Sequence, residues 1–134
     1  MMPVVRYMLL CEEVRVDPAR PNCIDVACLM GKIVSLEDPP FPLLRAEPIC
    51  VYLELTECYG SGVGQIRVAF SDEEHEETLF GSEEHQLDFA GHSPLELLGV
   101  VFRLVDCEFP QAGRYSVQFW YNGAKVEERP KLLR

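Results

Sequence analysis

The chain contains no long apolar run. Its apolar runs, Met8–Cys11 and Leu97–Phe102 among them, fall far short of the ~20 residues that a spanning helix requires. The first residues, MMPVVRYMLLCEEV, have no basic segment leading into an extended apolar stretch, so no export signal is expected and a cytoplasmic protein follows. No Cys-x-x-Cys pair occurs, which removes support for a zinc knuckle or a thioredoxin-like site. Basic charge is scarce in the middle: residues 46–100 hold one cation, Arg67, against twelve carboxylates. A field of that sign repels phosphate, so neither nucleic acid nor an anionic membrane is expected as partner of that face. Helical periodicity is also rare, and no repeat of 20–50 residues is visible.

What remains is ample. At 134 residues and 48% hydrophobic, the sequence suits a single domain over 1–134 with a substantial core, and disorder is not expected. The net charge of −10 comes from the middle segment, because the two ends are nearly balanced. Six cysteines could form three disulfides in a secreted protein. Without an export signal, and with Cys28 beside Leu29 and Met30 and Cys50 beside Val51, buried free thiols are the better account.

Period-2 segments dominate. Val4–Val16 and Cys23–Val34 read as strands around the turn Asp17–Asn22, with Gly31 as a bend. Pro39, Pro40 and Pro42 force an extended crossover. Ile49–Thr56 and Gln65–Phe70 read as a hairpin closed by Gly60-Ser61-Gly62-Val63-Gly64. An acidic loop follows, Ser71–Glu77, then short pieces at Thr78–Phe80 and Gln86–Phe89. Ser93-Pro94-Leu95-Glu96 can cap one short helical turn before the strand Val100–Val105. Gly113–Tyr121 and Ala124–Leu133 form a terminal hairpin through Asn122-Gly123, both of which tolerate positive φ. The fold class is therefore all-β: an antiparallel β-sandwich of about seven to nine strands with at most one helical turn.

Three stretches resemble a family of small bacterial single-domain proteins: Tyr7–Asp17, the Phe41-Pro42 pair, and Phe109-Pro110-Gln111-Ala112-Gly113-Arg114-Tyr115 before the last hairpin. More loosely, the chain is similar to immunoglobulin-like and C2-like sandwiches, where Gly-x-Tyr often precedes an inner strand. The resemblance implies a sandwich fold and carries no activity or catalytic residue with it.

Candidate chemistry is thin, and no cofactor is expected. The glycine run lacks the following helix that a phosphate cradle needs. The acidic segment 72–92 holds His75, His85, His92 and Glu77, and a metal-binding or hydrolytic protein could use it. His75, His85 and Glu77 would be its ligands, yet no ligand spacing such as His-x-x-x-His appears. Cys58, beside Tyr59 and the glycine run, is the thiol expected nearest solvent. The favoured reading is a non-catalytic protein-binding or scaffolding module. Its surface would be the polar face of the terminal hairpin, where Trp120, the only tryptophan, alternates with Arg114, Ser116 and Gln118. That hairpin also offers a sheet edge to a partner strand, limited by Pro130.

Overall fold

In the computed structural model, residues 2–17, 19–29, 43–45, 47–71, 75–111 and 113–133 are described, and among them eleven strands follow one another without a helix. They are β1 (Val4–Asp17), β2 (Arg20–Leu29), β3 (Leu43–Arg45), β4 (Ile49–Thr56), β5 (Ser61–Ser71), β6 (Glu76–Gly81), β7 (His85–Asp88), β8 (Leu98–Leu104), β9 (Cys107–Phe109), β10 (Gly113–Tyr121) and β11 (Ala124–Leu133). Nine of them build the two main sheets, within the expected seven to nine; the other two, β3 and β9, have three residues each and are too short to show alternation. Gly31, the Pro39–Pro42 crossover with Phe41-Pro42, and acidic residues 72–74 lie outside the described residues.

Two antiparallel sheets carry the fold, in the orders β2-β1-β4-β8 and β11-β10-β5-β6, with β7 alongside the start of β5. A short β3–β9 ribbon stands apart. Alternation explains the stacking. Leu53, Leu55 and Phe102 from the first sheet meet Ile66, Phe119 and Tyr121 from the second, all buried in one core. The Phe102 and Phe119 rings lie 6.0 Å apart across the layers. Each fully buried ring contributes about 2–3 kcal/mol through the water it sheds. The result is an antiparallel β-sandwich.

Local chemistry agrees with the turns. Asn122 (φ 50°) and Gly123 (φ 79°) both sit in the left-handed region, and Tyr121 pairs directly with Ala124. The Tyr115 hydroxyl donates to the Gln111 carbonyl, the tyrosine-corner contact known from immunoglobulin-like sandwiches. Ser93 and Glu96 form a reciprocal cap: the Ser93 hydroxyl accepts from Leu95 N–H and the Glu96 carboxylate accepts from Ser93 N–H. It closes a turn rather than a helix. Pro21 falls inside β2, which is possible because β2 is an edge strand.

Two expectations are corrected. β4 and β5 do not form a hairpin: β4 pairs with β1 and β8, while β5 pairs with β10, β6 and β7 in the opposite sheet. The glycine run is not a flexible tip either, because β5 begins at Ser61 and takes in Gly62 and Gly64. A Cβ on Gly62 would lie 2.3 Å from the Tyr121 ring, and one on Gly64 would lie 2.8 Å from Leu87. These positions lack side chains because core rings already occupy the space. Second, Cys58 is not near solvent: it is 3% exposed, beside a half-exposed Tyr59. Cys11, Cys50 and Cys107 are likewise buried, and none of them forms a disulfide. Burial, and then the neighbouring Cys50, push the Cys11 thiol up to about 11.

Adding a methyl at Gly64 forces core atoms to move. Gly64→Ala should therefore lower the unfolding free energy by about 1–3 kcal/mol in urea titrations. An unchanged midpoint would return residues 60–64 to the role of a loose turn.

Candidate functional site

The polar face of the second sheet is built by register. β10 lies between β11 and β5, so Gln118 is flanked by Glu128 on one side and Arg67 on the other, and Trp120 by Lys125 and Gln65. The pairing with β11 slips between Phe119 and Trp120, which places Val126 as an extra residue. That bulge puts Lys125 and Glu128 on the same face, where the ammonium and the carboxylate meet at 3.2 Å.

These neighbours form a directed chain of hydrogen bonds. The Trp120 indole N–H donates to Gln118 Oε1 at 2.9 Å. The Gln118 amide donates to Glu76 Oε1 at 2.6 Å and to Ser116 Oγ at 3.4 Å. The Ser116 hydroxyl donates to Glu128 Oε2 at 3.0 Å. Gln118 is 0% exposed, and its amide oxygen and nitrogen both find partners, as a buried polar group requires. The Arg67 guanidinium lies 4.1 Å over the centre of the Trp120 ring, and its Nε donates to Gln65 Oε1 at 3.0 Å. Gln65 in turn donates to the Ser82 carbonyl. The indole is thus gripped through its N–H and its face while remaining half-buried. The Lys125 ammonium, followed by the Ser116 hydroxyl, holds the Glu128 carboxyl below its usual value of 4.5.

The three expected contact residues therefore have different positions. Arg114 is exposed, Trp120 is half-buried, and Gln118 is fully covered. Gln118 cannot touch a partner directly; it positions Trp120. Composition drew attention to Arg67 as the lone cation of its segment, but its place over Trp120 follows from a β5–β10 pairing that the sequence reading did not contain. Ser116 and the cross-strand neighbours on Ala124–Glu128 were expected on this face, but the bonds joining Ser116 to Glu128 and Gln118 to Glu76 were not. The signal for them lies in the alternation of β5 and β10 once the strands are set side by side.

The described residues of the acidic segment do not assemble a centre. His75 and Glu77 are exposed at β6. His85 lies on the Phe102 ring at 4.7 Å, nearly parallel to it. His92 pairs with Glu96 at 3.0 Å. Among the described residues no three His, Cys, Asp or Glu side chains gather as a metal would need. Glu76 and Glu77 belong to a strand rather than to the expected loop. No helix among the described residues is long and apolar enough to cross a membrane.

No family model matches the chain, and no curated protein does. Among solved structures, it is similar to an alkylpurine DNA glycosylase of Pseudomonas fluorescens bound to DNA containing an abasic-site analogue. The TM-score is 0.41 at 13% identity, over 66% of this chain and 26% of that one. It is also similar to a β-glucosidase of Listeria innocua in complex with isofagomine, with a TM-score of 0.38 at 13% identity, over 68% of this chain and 15% of that one. The chain thus spans a minor part of both proteins, and these likenesses carry no argument about its activity.

Two measurements check this geometry. A double-mutant cycle of Arg67→Met and Trp120→Leu should give a coupling energy of about 0.5–1 kcal/mol, and strict additivity would mean that the stack is absent. Because the Glu128 carboxyl is held low in the folded state, its ionised form stabilises the fold above its ordinary value, and that contribution is lost as pH falls through the lowered one. Glu128→Gln should therefore melt with a shallower acid dependence than the unaltered protein as the pH falls below the ordinary carboxyl value of 4.5. Parallel acid profiles would contradict the assignment.

Proposed function

We propose that the chain is a non-catalytic protein-binding or scaffolding module of the bacterial cytoplasm, and that it binds its partner through the Trp120 face of the terminal hairpin. The observation that carries this reading is the half-buried indole clamped between the Arg67 guanidinium and the Gln118 amide. Tryptophan and arginine are the residues that most often dominate interface energies, and an anchor held in place before contact loses little freedom on binding. Exposed Arg114, two residues before buried Ser116 on the same strand, lies at the rim of that face. Lys125 and Glu128 supply a paired polar border.

The partner is a protein rather than a nucleic acid or a membrane surface, since the carboxylate excess of residues 46–100 repels phosphate from the neighbouring surface and the nearly balanced charge of residues 101–134 offers no strongly basic field to hold it. The rival reading, a metal-binding or hydrolytic protein using the acidic His-containing segment, gains no support from the positions of His75, His85 and Glu77.

Because Trp120 is the only tryptophan, its emission reports on this face directly. Partners captured by the unaltered protein should be lost on Arg114→Glu with the melting temperature unchanged, and adding the captured partner should shift the Trp120 emission maximum. Identical capture by both proteins, with unmoved emission, would refute the proposed surface.

A further inference from the structure

A second surface, independent of Trp120, lies at the edge of the other main sheet. β8 closes the four-stranded sheet: it pairs with β4, and no strand lies beyond it among the described residues. A four-stranded layer therefore rests on a five-stranded one. Along the free side of β8 runs a cleft of about 540 Å³, with Val101, Arg103 and Val105 on one wall and Gly81, Ser82, Glu83 and His85 on the other. His85 forms part of its floor, seated on the Phe102 ring.

Among the described residues, the other three outer strands of the two main sheets are more strongly guarded than β8. The β11 edge carries a bulge, Lys125, Pro130, and the ion pair of Glu127 with Arg129 at 2.7 Å. β2 contains Pro21 and Asp25, and β6 opens with Glu76 and Glu77. Such features discourage strands from adding to an edge. β8 reads Leu-Gly-Val-Val-Phe-Arg-Leu, with no proline and with Arg103 as its single charge. At its two ends Leu97 is 53% and Val105 62% exposed, so apolar surface continues beyond both termini of the strand. A largely apolar edge bordering a cleft is the arrangement used for β-strand addition, in which main-chain hydrogen bonds hold the incoming segment and side-chain pockets select it.

Charge indicates what kind of segment fits. Glu83 lines the cleft and Glu84 follows it; Arg103 is the only cation on its walls, and Arg67 is the only other cation across residues 46–105. The surrounding field therefore favours a basic segment and slows an acidic one. We propose that the β8 edge accepts an extended segment of another polypeptide in which apolar residues alternate with lysine or arginine.

Two synthetic probes test this, an alternating Lys-Val peptide and an alternating Glu-Val peptide, with amide hydrogen exchange as the readout. The Lys-Val peptide should bind saturably and slow exchange at residues 98–104, and the Glu-Val peptide should not. Glu83→Lys, a change on the cleft wall outside any strand, should weaken Lys-Val binding several-fold. Val101→Pro should abolish it, and the exchange map on the unaltered protein keeps the test decisive if that variant fails to fold. The proposal is overturned if neither peptide protects β8, if both protect it equally, or if protection falls on β10 and β11. It is also overturned if β8 is protected without peptide in a concentration-dependent dimer, which would assign the edge to a second copy of the chain.

Discussion

The side-by-side pairing of β10 with β5 is the contact on which the rest of the molecule depends. It is made by alternation on both strands. Tyr115, Val117, Phe119 and Tyr121 go inward from β10, and Ile66 and Val68 go inward from β5. The fit requires more than hydrophobicity, since Tyr121 occupies the space over Gly62, and Leu87, Phe102 and Phe119 crowd Gly64. Cores of this density tolerate neither an added methyl nor a slipped register. A shift of one residue would turn Gln118 toward the core and Phe119 toward water.

The same pairing organises the outer face. Arg67 stands opposite Gln118 and Gln65 opposite Trp120, so a cation and two amides surround the one indole. Burying Gln118 would be costly if any of its polar atoms lacked a partner. The hydrogen-bond chain from the indole to Glu128 removes that cost and fixes the Trp120 side chain at the same time. Stability and the contact surface proposed above thus draw on one network. On this view Gln118 acts as a support and the indole as the anchor.

Much of this was legible in the sequence, for identifiable reasons. The terminal hairpin was, because the alternation of Gly113–Tyr121 and the backbone demands of Asn122-Gly123 are local. The capped turn at Ser93–Glu96 was, because a capping box is a spacing rule. The all-β antiparallel sandwich followed from the same periodicity. What escaped depended on tertiary contact. Glycine reads as a turn former, so Gly60–Gly64 suggested a hairpin, whereas Gly62 and Gly64 are small because distant rings need the room. Cys58 looked exposed beside Tyr59, yet neighbouring residues on an extended chain face opposite ways. The stack of Arg67 on Trp120 joins residues 53 positions apart, and no local rule brings them together.

The most direct test of the account is the proton environment of the single indole. In nuclear Overhauser spectra the Trp120 Nε1 proton should show contacts to the Gln118 side-chain amide. The Arg67 side-chain protons should be shifted upfield by the ring current. Absence of those contacts, with Arg67 at random-coil shifts, would separate β5 from β10 on this face and contradict both the network and the surface built on it.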